Sequence, residues 1–344
     1  MRTRAVLFVH SYPHDELAPF VKQDLVLLQH MYHVEELALR SISMPRGPLF
    51  SLAVWQAIAR NDLTFGWFCP LIGIIARILR KPFLLVGGGA DVVDIPMIGY
   101  GPSLVPRRRR VLRNLGFKLT SRVLLFSDSS RYSLLALPGI HADNLHTLYL
   151  GVDGDHFRPS GEKKPRALTV AYVNESNLRR KGLRSFAEAS RTTPEIPYRL
   201  VGKLVDRSVI EEITAIVLPN FQYLGYLDET QLLTEYQQAR VYAQLSMHEG
   251  FGMAMAEAMA CECVPVVTAA GAIPEVVGDT GIYVPIEDPA AAGEAIQEVI
   301  RDPNSDSMGR RARQRIVDLF PVSRRKEGLR AAIETVISRA KWQI

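Results

Sequence analysis

Short apolar runs recur along this chain with helix-like stretches between them, and that alternation constrains its fold more than any other feature. The runs are "AVLFV" (5–9), "FLLVGG" (83–88), "RVLLFS" (122–127), "ALTVAYV" (167–173), "YRLVG" (198–202), "RVYAQLS" (240–246), "VPVVT" (264–268) and "GIYV" (281–284). They are continuous in Val, Leu and Ile, as expected of strands buried on both faces of a parallel sheet. Amphipathic segments such as "LVLLQHMYHVEELALR" (25–40) and "AAAGEAIQEVIRD" (290–302) lie between them. Strand and helix in alternation predict an α/β fold with right-handed crossovers.

A chain of 344 residues exceeds the usual size of one hydrophobic core, so two domains are expected. The stretch "LYLGVDGDHFRPSGEKKPR" (148–166) is rich in Gly, Pro and charge, and a new strand-first pattern begins at Ala167. We place a hinge there. The expected division is an N-terminal domain over 1–155, a C-terminal domain over 156–323 and a terminal helix over 324–344 that packs back toward the first domain. Two doubly wound, Rossmann-like domains facing across a cleft would bind ligands at the C-terminal ends of their strands.

Several classes are set aside on composition. The N-terminal "MRTRAVLFVHSYP" has only five unbroken apolar residues and no small-residue cleavage site, so a buried first strand fits better than a signal peptide. The run "PLIGIIARILRKP" (70–82) is interrupted by Arg77 and far short of a membrane span. Cys69, Cys261 and Cys263 cannot make a disulfide framework or a four-ligand zinc site, and read as reduced thiols of a cytoplasmic protein.

The net charge of +5 is lopsided, because residues 156–344 balance and the excess lies in the first half. It concentrates in "VPRRRRVLRNLGFKLTSR" (105–122), which has seven basic residues and no acid. Val111, Leu112, Leu115 and Leu119 fall at helical spacing there, with Arg107, Arg108, Arg109, Arg110, Arg113 and Lys118 around them. A basic amphipathic helix of this kind reads as contact with an anionic membrane surface, which would put the protein at the inner face of the membrane. The same pattern fits a helix packed on a sheet with solvated arginines. Nucleic acid is not expected as a partner, since no aromatic residues interleave with the basic ones.

One stretch speaks of chemistry. "HEGFGMAMAE" (248–257) follows a predicted strand and runs into "MAMAEAMA" (253–260), rich in strong helix formers. Gly250 and Gly252 lie between, where Gly allows a sharp turn and close approach of a ligand to free N–H groups. The helix N-terminus adds roughly half a positive charge, so the geometry suits an anion such as phosphate. Glu249 and Glu257 would stand on the order of 10 Å apart at about 1.5 Å of rise per residue. That is too far to share a proton, but it suits two hydroxylated groups on either side of a diphosphate, as in a nucleotide sugar. An ordinary strand–turn–helix with two solvated glutamates would carry the same spacing.

The longer stretch "SMHEGFGMAMAEAMACECVPVVTAAGAIPEVVGDTGIYV" (246–284) resembles the signature of the group 1 glycosyltransferases, also called glycosyltransferase family 4, which are retaining enzymes of the GT-B fold. The likeness continues through "FQYLGYLDETQLLTEYQQARVYAQLS" (221–246), "YRLVGK" (198–203), "RRKGLRSFAEA" (179–189) and "LGVDGDHFRP" (150–159), and weakens in the first half. It implies a hexosyl transfer from a nucleotide-sugar donor to a hydroxyl acceptor, a sugar or lipid-linked group, in glycan biosynthesis. By that resemblance Glu249 would hold the donor sugar's hydroxyls, Glu257 the ribose, and Lys181 the leaving diphosphate. Backbone of Gly250, Phe251, Gly252, Met253 and Ala254 would contact sugar and diphosphate. Tyr226, Leu227 and Gly202 would line the nucleotide. No metal or other cofactor is expected, with Lys181 and the helix N-terminus doing a cation's work.

This chain departs from the family pattern at three places. Glu175 stands where the family has an Arg on the diphosphate, and Arg179 or Arg180 would have to substitute. "LLVGGGADVVD" (84–94) lacks the family's His, which leaves Asp91 as the side-chain candidate at the reacting centre, with Gly87, Gly88 and Gly89 offering close backbone approach on the acceptor side. Glu262 replaces a common Gly. Asp153-Gly154-Asp155 matches a metal-binding Asp-x-Asp pattern but falls in the hinge and reads as a turn. "GGGADV" (87–92) lacks the spacing of a dinucleotide fingerprint, and His248 reads as packing. A nucleotide-sugar epimerase and a non-catalytic nucleotide-sugar binder are the rival readings.

Overall fold

The computed structural model describes residues 4–12, 17–39 and 51–341. The chain divides into two compact units, Met1–Leu150 with Ser323–Ile344, and Gly151–Val322. The change of unit thus falls after Leu150, five residues before the expected boundary.

The first unit alternates β1 (Ala5–His10), α1 (Pro19–Gln29), β2 (His33–Ala38), α2 (Leu52–Arg60), β3 (Leu63–Trp67), α3 (Ile72–Ile78), β4 (Phe83–Gly87), α4 (Arg107–Leu119), β5 (Arg122–Leu125), α5 (Asp128–Leu135) and β6 (Leu145–Thr147). Its six strands pair in the order β2-β1-β3-β4-β5-β6, all parallel. Leu7, Val9, Phe83, Leu85, Val123 and Leu125 carry the core on one face of this sheet.

Two readings of the sequence are corrected here. The stretch 25–40 is not one helix: α1 ends at Gln29 and His33–Ala38 forms edge strand β2. Pairing with β1 overrides the helix preference of its Glu and Leu residues, and an edge strand needs no continuous apolar run. Strand β3, "LTFGW", was not among the expected strands because Thr64 and Gly66 interrupt its apolar run, yet every residue of it is buried.

The second unit continues with β7 (Lys164–Val170), α6 (Glu175–Arg180), α7 (Leu183–Thr192), β8 (Tyr198–Val201), α8 (Arg207–Ile216), β9 (Phe221–Tyr223), α9 (Glu229–Gln238), β10 (Ala239–Gln244), α10 (Met253–Ala260), β11 (Val264–Thr268), α11 (Ile273–Val277), β12 (Ile282–Val284), α12 (Pro289–Arg301) and α13 (Ser305–Leu319). Its parallel strands run β12-β11-β10-β7-β8-β9. Numbered from β7, that is the doubly wound order, and it reverses between β7 and β10. In such sheets the loops leaving the two strands at the reversal diverge and leave a crevice at their C-terminal ends. The segments after β7 and after β10 are those that carry Lys181 and Glu249.

The last helix, α14 (Val322–Lys341), returns to the first unit. Its anchor is Arg325, which donates to both carboxylate oxygens of Asp24 on α1 (3.0 and 2.7 Å) and to the Leu148 carbonyl (2.6 Å). Both side chains are 1% exposed. A buried bidentate pair is held by geometry, and removal of one partner strands the other charge in a dry environment. No helix among the described residues is long and apolar enough to cross a membrane. Arg325→Met should therefore lower unfolding stability by about 3–5 kcal/mol in urea titration, and Asp24→Leu in the same chain should recover much of it.

Candidate donor site

The segment that leaves β10 reaches Glu249 after four further residues, and the loop buries this side chain to 5% exposure. Three donors converge on one of its oxygens, Oε1: the Lys181 ammonium, the Ser246 hydroxyl (2.8 Å) and the Gln244 amide (3.1 Å). Burial works against the charge. The attraction of Lys181 and Arg180, with the hydrogen bonds from Lys181 and Ser246, outweighs it and holds the carboxylate below its usual range.

Lys181 caps the C-terminal end of α6, and Gly182 follows it in the left-handed region at φ 67°. A Cβ on Gly182 would lie 2.0 Å from the Leu245 carbonyl oxygen, so only glycine lets this turn sit against the end of β10. The Arg180 carbonyl accepts from the Met247 N–H (2.8 Å), which locks the two segments together. Arg180 acts electrostatically on Glu249 and His248. Arg179 points elsewhere and pairs with Glu287 at 2.7 Å on the surface. Glu175 opens α6 behind its Asn174 cap and is exposed.

After Glu249 the chain turns through Gly250, Phe251 and Gly252. Phe251 is buried and packs edge-on against Phe320 (5.5 Å). Gly252 caps α10 at φ 90°, in the left-handed region, and Met253 and Ala254 form the first turn. The first N–H groups of this helix have no carbonyl partners within the helix and are available to an anion. Glu257, one turn on, accepts from the Tyr236 hydroxyl (3.1 Å), and burial pushes its carboxyl up to about 7.

His248 is buried, and desolvation first of all pushes it down to about 4, so the ring is neutral at physiological pH. Gly271 packs beneath it: a Cβ there would meet the Glu249 carbonyl oxygen at 2.3 Å. Gly202 closes β8 at φ 152° with its N–H on Gly225 O (2.9 Å), and Tyr223 donates to its carbonyl (2.8 Å). Tyr226, 73% exposed, and the half-buried Leu227 lie just before the Asp228 cap of α9. Asp153 accepts from the N–H groups of Asp155 (3.0 Å) and His156 (3.1 Å), making the turn expected of this segment.

The first unit holds the other sequence candidates. Asp91 turns back on its own loop, where Oδ1 accepts from Gly89 N (2.9 Å) and Gly88 N (3.3 Å). Burial pushes its carboxyl up to about 6. The glycines have internal reasons: a Cβ on Gly87 would meet Asp91 Oδ2 at 2.4 Å, and one on Gly88 the Phe126 ring at 2.9 Å. The Gly88 and Gly89 amides are occupied by Asp91. At Gly89 a Cβ would press on Tyr100 Oη at 3.3 Å.

On α4 the apolar stripe faces outward. Gly116, Phe117 and Thr120 are buried, and Gly116 lies so close to α3 that a Cβ would stand 2.1 Å from the Pro70 carbonyl oxygen. Val111, 58% exposed, is joined on the surface by Leu112 and Leu115, and by Leu104 and Val105 just before the helix. Arg107, Arg108, Arg109 and Lys118 are exposed and Arg110 half-buried. Arg113 is a correction, because its guanidinium turns inward to the Asp91 carbonyl (3.2 Å) and to Asn114.

Residues 155–315 match the family model described as Glycosyl transferases group 1. The second unit, Gly151–Val322, is thereby similar over most of its length to the group 1 glycosyltransferases. Among curated relatives of this chain, the MMP alpha-(1->4)-mannosyltransferase of Mycolicibacterium hassiacum is 26% identical over 235 residues, 65% of this chain and 55% of that protein. The GDP-mannose-dependent monoacylated alpha-(1-6)-phosphatidylinositol monomannoside mannosyltransferase of Corynebacterium glutamicum is 26% identical over 292 residues, 77% and 74% of the two chains. The chain spans about half the length of the first of these. HepE of Anabaena, solved with UDP and glucose, superposes with TM-score 0.78 at 17% identity over 97% of this chain and 100% of that one. Sucrose-phosphate synthase of Thermosynechococcus elongatus gives 0.77 at 17% identity over 98% and 100%. The chain therefore has the GT-B fold, two doubly wound Rossmann-like domains.

Sequence reasoning placed Glu249, Lys181 and Glu257 in one unit but did not name Gln244, Ser246 or Tyr236. The available signal was the row of polar residues, Tyr242, Gln244 and Ser246, at alternate positions of an otherwise apolar strand.

Glu257 gives a pH test of this geometry. Its folded-state carboxyl titrates at about 7 against an ordinary 4.5, so its contribution to stability is full below 4.5 and is lost as pH rises through about 7. Glu257→Gln removes that loss. The urea midpoint of the variant should gain on wild type between pH 5 and about pH 7 and level off above it, and a constant gap from pH 5 to pH 7 would refute the shift.

Proposed function

We propose that the chain is a retaining, metal-independent hexosyltransferase that moves a sugar from a nucleotide-sugar donor to a hydroxyl acceptor. The observation that carries the reading is the pairing of buried Glu249 with the half-buried Lys181 at the sheet's reversal point, beside the glycine-started α10. Glu249 accepts from the donor sugar's hydroxyls. Lys181, Arg180 and the N–H groups of α10 stabilise the negative charge that grows on the departing diphosphate. Arg180 supplies the second cation that Glu175 cannot.

In this reaction the bond from the anomeric carbon to the phosphate oxygen breaks, and the acceptor oxygen bonds to that carbon on the same face. The acceptor's proton passes to the leaving phosphate, so no protein nucleophile is required. Glu257 takes the ribose, and Tyr226, Leu227 and Gly202 border the base. Asp91 remains the acceptor-side candidate, whereas the amides of Gly88 and Gly89 are taken up by Asp91 itself. An epimerase would need a group exchanging protons with the sugar ring, a task unsuited to a carboxylate fixed by cations or to a buried neutral His248.

The two curated relatives are mannosyltransferases and one is named as GDP-mannose-dependent, which makes GDP-mannose the first donor to try. The outward apolar stripe of α4 with Arg107–Arg109 beside it suits an anionic bilayer at the inner membrane face, and so a lipid-linked acceptor.

Calorimetric titration of GDP, UDP and ADP into wild type and Glu257→Ala tests the donor site. One nucleotide should bind, with the variant weakened at least tenfold; a wild type that binds none of them or their sugars overturns the reading. Reversing Arg107, Arg108 and Arg109 to Glu should weaken binding to phosphatidylglycerol vesicles by about a hundredfold or more, at roughly 1 kcal/mol per charge. Equal binding of wild type to phosphatidylcholine vesicles would remove the membrane assignment.

A further inference from the structure

Strand β10 is buried on both faces. Val241, Ala243 and the following Leu245 enter the apolar core with Val264, Val266 and Ile296. The alternate residues Tyr242, Gln244 and Ser246 turn to the opposite face. Polar groups buried in such a row cost free energy unless each finds a partner.

Here they satisfy one another and then Glu249. The Tyr242 hydroxyl donates a long bond to Gln244 Oε1 (3.4 Å), and the Gln244 amide donates to Ser246 Oγ (2.7 Å) and to Glu249 Oε1 (3.1 Å). The Ser246 hydroxyl donates to the same Glu249 oxygen. Gln244 is 1% exposed and Ser246 fully buried.

Lys181 is the third donor to that oxygen, and the donor-site reading gives it a second duty at the diphosphate. A lysine is a mobile point charge on a flexible stem. When it is drawn toward a phosphate its hold on Glu249 weakens. The Gln244 amide sits on the sheet and carries no charge to be drawn away.

We infer that Gln244 is a positioning residue for sugar recognition: its amide fixes the side chain of Glu249, through Oε1, while Lys181 serves the diphosphate and Oε2 is left to accept from the sugar hydroxyls. This rests on the donor-site reading. It adds a residue whose effect is confined to the sugar, since a nucleoside diphosphate alone makes no use of Glu249.

The test compares GDP with GDP-mannose, and UDP with UDP-glucose, by calorimetry on the full chain in wild type and Gln244→Leu. Nucleotide affinity should stay within about twofold, while nucleotide-sugar affinity falls about tenfold, the scale of a hydrogen bond to a charged group. The low-pH limb of sugar binding should also move to higher pH, because a donor to the carboxylate is lost while Lys181, Arg180, His248 and Tyr242 still surround it.

Unchanged sugar affinity, or an equal loss for nucleotide and sugar, overturns the inference. Should Gln244→Leu fail to fold, Gln244→Met keeps the length, removes the donor and is read in the same way. A wild type that binds neither nucleotide nor sugar overturns the donor-site reading itself and this inference with it, an outcome separable from any defect of the variants.

Discussion

A carboxylate buried at the end of a parallel strand stays ionised only where the fold brings donors to it, and Glu249 sets that requirement for the second unit. An uncompensated buried charge costs several kcal/mol. The compensation reaches far along the sequence: Gln244 from the end of the strand, Ser246 two residues beyond it, and Lys181 from a helix end 68 residues earlier. Bringing Lys181 there requires the left-handed Gly182 against the Leu245 carbonyl. Supporting the loop from below requires Gly271 under the Glu249 carbonyl, with the Ala272 N–H donating to that carbonyl at 2.9 Å. Glycines spread over 90 residues thus answer to one buried charge.

The sheet order determines why those segments can meet at all. Between β7 and β10 the connections run to opposite sides, so the chain leaving each strand is free of the other's crossover helix. The first unit has the same kind of sheet but uses its glycine loop differently. At the end of β4 the amides of Gly88 and Gly89 are bound by Asp91, and Ser130 donates to the Gly88 carbonyl at 2.8 Å. A glycine run at a strand end is therefore two kinds of object. One receives a ligand with free amides, as the first turn of α10 can. The other is closed by a side chain of its own loop.

This difference marks how far the sequence could be read. Strands dominated by aliphatic runs, β1, β4, β5, β7 and β11, were legible because burial on both faces leaves few polar positions. Strands β2 and β3 were not, since one lies at an edge and tolerates Glu35 and Glu36, and the other hides Thr64 and Gly66 inside. In the site, Glu249, Glu257 and Lys181 stood out through spacing and the family pattern. Gln244 did not, and Arg180 stood only as an alternative to Arg179, because their roles depend on which face of an element they occupy. Arg113 was misplaced for the same reason: it belongs to the basic stretch in sequence but turns inward in space.

Helix α6 makes the point about faces in its shortest form. Successive helical residues are rotated by about 100°, so neighbours in sequence address different surroundings. Glu175 begins the helix facing solvent, where the helix N-terminus favours an acid. Arg179 points to Glu287 on the surface, and Arg180, one step on, acts on Glu249 and His248. An acid at the first position therefore does not bring its charge to the place where Arg180 and Lys181 act. The positive field around Glu249 comes from the C-terminal end of α6, where one residue's rotation separates a surface ion pair from the site.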